Sequence, residues 1–317
     1  MPDDARRLHY GWVVLTIGTL GVFGALGLAR FGYSIVLPAM QEGLGMDNTQ
    51  AGALATANLV GYLALSVIGG ALASRFGPRA VITAGLGLAG VAMLLTGLAR
   101  SFPEAAAWRL VTGVGSGASN VPVMGLMVAW FALRRRGLAA GVAVAGSSLA
   151  LIALGPTVPE VLKVYGESGW RVCWFGFGGV TLLIAALAFA LLRNHPGDVG
   201  LRPVASVPGD RPPAPRTGGL QWGAVYRSPA VWHLGLVYVA FGFSYIIYMT
   251  FFVKALMAEG GYTREAAGGL FMTMGWFSLL CGLIWGAVSD AIGRKGALII
   301  VYLIHAISFA LFALWAV

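Results

Sequence analysis

The chain has 317 residues, 58% apolar and only 10% charged, and its mean hydropathy is +0.81. About a quarter of the residues of an ordinary soluble domain are charged, so a soluble globule is excluded. The net charge of +9 sits in short loops between long apolar runs, a placement that orients membrane helices and leaves no basic, aromatic-interleaved surface for nucleic acid.

A membrane-spanning helix takes about 20 apolar residues. In chain order, nine segments reach that length: 11–40, 49–73, 80–99, 103–133, 137–164, 170–192, 229–257, 266–288 and 296–317. The opening residues carry Asp3 and Asp4, and the first apolar run is too long for a signal core, so it is expected to stay as a helix. Of the 21 lysines and arginines, fourteen fall on the side shared by the N terminus and the stretch 193–228, five fall on the other side, and Arg30 and Arg109 lie inside spans. Cytoplasmic loops hold the basic excess, which predicts a multi-pass protein of the cell (inner) membrane with a cytoplasmic N terminus. The stretch 193–228 contains Pro196, Pro203, Pro208, Pro212, Pro213 and Pro215 and reads as an extended cytoplasmic linker. It separates residues 1–192, a six-helix bundle, from residues 229–317, three helices of a second bundle. Cys173 and Cys281 lie within apolar segments and read as small hydrophobes, and no spacing suits a metal or cofactor.

A repeat crosses the linker. Gly70, Ser74, Gly77 and Arg79 after the second span align with Gly286, Asp290, Gly293 and Lys295 after the eighth, an offset of 216 residues. Under that offset Val317 maps to Ser101, just past the third span, so the chain is expected to be part of a twelve-helix protein. In the second copy Asp290 can accept hydrogen bonds from a neighbouring helix end or pair with Arg294. In the first copy Ser74 takes the place of the acid, which weakens that latch. The string Gly286 to Lys295 resembles the G-x-x-x-D-x-x-G-R-K loop of the major facilitator superfamily, and Arg109, Gly113 and Gly115 resemble its R-x-x-x-G-x-G pattern. The resemblance implies two six-helix bundles rocking about a central site lined by the first and fourth helices. Trp130, Phe131, the run Arg134 to Arg136, Gly169-Trp170-Arg171 and Pro196 to Pro203 are similar to the monocarboxylate and oxalate–formate exchanger branch. Stretch 270–288 carries no charge, where monocarboxylate carriers hold an acid and an arginine.

Gly113, Gly115 and Gly117, two residues apart, do not share one helix face, so the fourth helix should be thin and closely packed on several sides. Arg109 lies about 8 Å inside the boundary at Pro103, by a rise of about 1.5 Å per residue. Arg30 sits at similar depth in the first span. All twelve acids fall in tails, loops or helix ends, so neither guanidinium has an internal counter-ion and the site favours anions. Arg30 is the expected primary contact for a small organic anion, helped by Arg109, Tyr33 and Asn120, with Asn58, Tyr62, Tyr245 and Tyr248 as further polar candidates. Tyr238, Tyr245 and Tyr248 share a helix face, either packed or as a tyrosine wall on a cavity. His233 and His305 are the candidate relays for a co-transported proton. The sequence therefore reads as a secondary transporter of a small carboxylate, set in the lipid bilayer and not an enzyme. A carrier or exporter of neutral or amphipathic compounds, and a non-transporting receptor or fragment, are the alternatives.

Overall fold

The computed structural model describes residues 9–206 and 227–315. Among them the chain forms nine long helices: α1 Tyr10–Gly43, α2 Asn48–Phe76, α3 Pro78–Leu98, α4 Phe102–Trp130, α5 Leu133–Tyr165, α6 Gly169–Leu191, α7 Pro229–Ala258, α8 Arg264–Ile292 and α9 Arg294–Trp315. These fall on the nine segments expected from the sequence. Length and hydropathy alone single out five membrane-crossing stretches, with α5 and α6 counted as one continuous run, and the 46° bend of α2 makes it a sixth. Helix α4 falls short on that measure, being rich in glycine and hydroxyl residues.

Local chemistry sets the junctions. Asp47 caps α2 through Gln50 N–H while the Gln50 side chain returns the bond to Asp47 N–H. Between α2 and α3 the chain turns on Gly77 alone, at φ 85° and ψ 143°. Between α8 and α9 it turns on Gly293, at φ 84° and ψ 156°. Any side chain would be strained there, so the repeat in the sequence is also a repeat in backbone conformation.

Helix α4 threads between α2 and α3. A Cβ at Gly113 or Gly117 would strike the α2 backbone at Asn58 or Tyr62, and one at Gly115 would strike the α3 backbone at Gly85. Glycines on opposite faces let three helix axes approach at backbone distance. Gly70 differs, because nothing lies near its Cβ position.

Helix α1 is not regular throughout. Residues Phe23–Phe31 form a π-helical segment between two α-helical parts. Gly27 abuts Ala150 of α5, Gly32 abuts the Phe177 ring, and Arg30 lies between them on this widened turn.

The stretch expected to be an extended linker departs from that expectation in its first part. Pro196–Val199 forms a 3₁₀ turn, Val204 exchanges backbone bonds with Trp130 and Ala132, and Trp130 Nε1 donates to the Arg193 carbonyl. Residues 193–206 are docked on the bundle because their exposed backbone groups find partners at the α4–α5 junction. Residues 207–226, with Pro208 to Pro215, lie outside the described residues.

Two buried clusters define the architecture. One, at the end of the bundle carrying the 193–206 strap (the strap face), is built from the first half alone, around Leu86, Val123, Trp130 and Leu192. The other, towards the opposite or far face, joins Leu37, Leu54, Leu154 and Trp174 of the first half to Phe252, Leu256 and Phe271 of the second. Contacts between the halves run from Ser148–Ser278 (2.9 Å) through the close approach of Gly155 to Gly268 to Lys254 at the far face. The two halves are thus joined towards the far face.

Candidate substrate site

The two intramembrane arginines meet at one small cavity of about 20 Å³, lined by Arg30, Tyr33, Asn58, Arg109, Met249 and Thr250 among others. That volume has room for about one water. Four of its lining residues come from α1 and the others from α2, α4 and α7, so it sits where the halves meet.

Arg109 is 1% exposed. Its Nη1 donates to the Ala29 carbonyl at 2.5 Å, and its guanidinium lies 4.7 Å from the Tyr33 ring centre and 5.2 Å from that of Trp174. Ala29 belongs to the π-helical segment, so Arg109 clamps the widened turn of α1 from α4. The clamp is itself supported. Tyr33 OH donates to the Ala51 carbonyl at 2.7 Å, Asn58 Nδ2 donates to the Arg109 carbonyl at 3.1 Å, and Trp174 Nε1 donates to Met40 Sδ. Arg109 Nε is buried without a partner among the described residues. The cost of this intramembrane charge is offset by a carbonyl and two aromatic faces, without any acid.

Arg30, one residue along from Ala29, is only half-buried. Its guanidinium is flanked by the rings of Phe31 and Tyr245, each 5.8 Å away, and makes no hydrogen bond or ion pair among the described residues. Tyr245 stacks on Phe241 at 5.3 Å, which fixes the ring that the second half presents to Arg30.

The other sequence candidates separate. Asn120 Nδ2 donates to Tyr62 OH at 2.9 Å, forming an α2–α4 pair that does not line the cavity. Tyr248 packs among Phe252, Phe309 and Phe312. The tyrosine wall does not form: Tyr238 is 61% exposed and Tyr248 points to α9, which leaves Tyr245 alone at the site. A 60° difference in helical phase between positions 245 and 248, at about 100° per residue, is enough to send them to different neighbours. Trp174, the Ala29 carbonyl and Thr250 are not among the residues singled out by the sequence. The spacing of Trp170 and Trp174, four residues apart on one face of α6, is a readable signal for the first of these.

At the strap face, Arg79 Nε and Nη2 donate to the Phe189 carbonyl at 2.8 and 2.5 Å, and Asn194 accepts from the Arg79 N–H at 2.9 Å. Among the described residues Ser74 bonds the Ala71 carbonyl of its own helix and nothing else. The first copy of the loop is therefore latched by its arginine onto the last turn of α6, where a cation is favoured. In the second copy Lys295 is exposed, and the Asp290 and Arg294 side chains lie outside the described residues. His305 Nε2 and Ser244 Oγ are 3.1 Å apart.

A family model described as Major Facilitator Superfamily matches residues 19–317. The chain is 27% identical over 294 residues to the probable sulfoacetate transporter of Cupriavidus necator, a match covering 91% of this chain and 65% of that protein. It is 25% identical over 304 residues to the oxalate:formate antiporter of Oxalobacter formigenes, covering 95% and 68% respectively. Among solved structures, a bacterial homologue of the human lysosomal transporter Spinster, inward-facing and unoccupied, shares the fold at a TM-score of 0.70 and 17% identity, over 90% of this chain and 64% of that one. The chain spans about two thirds of the length of the relatives it matches. With nine long helices among the described residues, a duplicated glycine junction and a family match over residues 19–317, this multi-pass membrane chain belongs to the major facilitator superfamily.

Proposed function

We propose that the chain is a secondary carrier for a small organic anion, a carboxylate or sulfonate, working by alternating access around Arg30. The observation that carries this reading is the half-buried Arg30 guanidinium between the halves, flanked by aromatic rings and without a hydrogen bond or an acid among its described neighbours. A cation in that position is undercompensated, and a guanidinium recognises a planar or tetrahedral oxyanion through paired parallel hydrogen bonds. The substrates named for the relatives, sulfoacetate, oxalate and formate, are of the same chemical kind. Arg109 adds positive potential but is committed to Ala29, so its role is to hold the turn that presents Arg30. A co-transported proton would have His305, bonded to Ser244, as its candidate carrier.

The strap face is taken as cytoplasmic from the distribution of basic residues, which makes the arrangement one joined towards the outside. A cysteine placed at Pro213 should then react with an impermeant thiol reagent from the cytoplasmic side only. The function itself is tested by equilibrium binding of labelled oxalate to the purified chain, with unlabelled competitors. Formate and sulfoacetate should compete, and neutral or cationic compounds of similar size should not. Absence of oxalate binding, with displacement of a neutral ligand instead, would favour the neutral-compound reading.

A further inference from the structure

At the far face a lysine of the second half bonds two amides of the first. Lys254 Nζ of α7 donates to Gln41 Oε1 at the end of α1, at 2.5 Å, and to Asn48 Oδ1 at the start of α2. Gln41 Nε2 also donates to Asn48 Oδ1 at 3.0 Å, so the first half holds both acceptors together before the lysine arrives. Asn48 is further fixed by the capped first turn of α2. The nearby acids take no part: Asp47 is engaged in that cap, Glu42 is exposed, and neither forms an ion pair with Lys254 among the described residues. The knot borders an open recess of about 530 Å³ between the ends of α1 and α7, lined by Pro38, Gln41, Glu42, Met46, Lys254 and Met257.

We infer that Lys254 is both the latch that closes the far face and the residue that selects anions for entry there. Neutral amides hold the ammonium without cancelling its charge. When the halves part at this face, both acceptors leave with the first half, and Lys254 stands as a free cation at the mouth of the path to Arg30. Gln41 lies eleven residues beyond Arg30 in α1, about 16 Å along the helix, so the two cations mark the entrance and the end of one route. A carboxylate partner would have made a tighter latch but a neutral entrance, and one that would not draw in an anion. The entry role rests on the anion-carrier reading above, whereas the latch does not.

Met46, 6% exposed beside the recess, reports both properties. In a chain with Cys173 and Cys281 replaced by serine, Met46→Cys is treated at low salt with two thiol reagents of equal size, one a sulfonate and one a quaternary ammonium. Lys254→Met removes both latch and charge, and should raise the rates of both reagents severalfold as the face opens. Lys254→Gln can still donate to the amides, so it should change overall accessibility less. It should lower the sulfonate-to-ammonium rate ratio about fourfold, as expected for losing one charge some 10 Å away in a watery recess. Gln41→Ala with Asn48→Ala should open the face while keeping the high ratio. Unchanged rates in Lys254→Met and in the Gln41/Asn48 double variant would overturn the latch. An unchanged ratio in Lys254→Gln would overturn the entry role. Arg30→Gln should leave both readouts as in the parent, so failure of the anion site, seen in oxalate binding, is distinguishable from failure of the latch.

Discussion

Arg109 and Arg30 line the same cavity, yet they are held in opposite ways. Arg109 is 1% exposed and has a carbonyl, two aromatic rings and a braced helix turn around it. Arg30 has rings beside it but no hydrogen bond among the described residues. The membrane makes a charge costly in either position. One cost is met inside the fold and the other is left to be met by something that arrives, which separates a scaffold cation from a binding cation.

The comparison breaks most completely if the cage around Arg109 can be loosened without consequence. Gly113→Leu would drive a side chain into the Asn58 backbone, where the carbonyl turn of Arg109 is anchored. It should destabilise the protein by about 3 kcal/mol or more, read as lost monodisperse yield and a lower Tm in detergent. Arg109→Gln should cost about 2–3 kcal/mol, from one charge-assisted hydrogen bond and its ring contacts, with Arg109→Lys intermediate. A Tm equal to that of the parent would show that Arg109 is not part of the scaffold. Trp174→Leu, which removes one of the two rings, should cost about 1 kcal/mol beyond its packing loss in the parent and nothing beyond that loss in Arg109→Gln, a double-mutant cycle that isolates the ring–cation contact. The smallest effect sharpens the site's edge: Tyr245→Leu should weaken anion binding by about threefold through loss of the ring beside Arg30, while Tyr248→Leu should leave it unchanged.

Much of this is legible in the amino-acid sequence. Runs of about 20 mostly apolar residues mark the nine helices, and the offset between Gly77 and Gly293 announces a junction that recurs in the backbone. The absence of acids within the spans singles out Arg30 and Arg109. Which arginine is satisfied is not legible there, because that depends on the Ala29 carbonyl, which a π-helical turn packed against α5 at Gly27 and α6 at Gly32 presents to Arg109. Such a turn is a product of tertiary packing and leaves no periodicity of its own. Docking of 193–206 is hidden for a similar reason: proline content describes a chain without partners, whereas the Trp130 and Ala132 backbone supplies them. The tyrosines of α7 are divided by about 60° of helical phase, which helical spacing treats as one face.

The most direct test of the division between scaffold and binding cation is thermal unfolding of Arg30→Gln and Arg109→Gln side by side, each with and without oxalate, formate or sulfoacetate. Arg30→Gln should unfold at or above the parent temperature, since removing an unpaired charge relieves desolvation, and should show no stabilisation by any of the three anions. Arg109→Gln should unfold at a markedly lower temperature yet still be stabilised by whichever anion stabilises the parent. The reverse pattern, with Arg30→Gln unfolding early while its surviving fraction still responds to the anion, would make Arg30 the packing residue and contradict the proposed site.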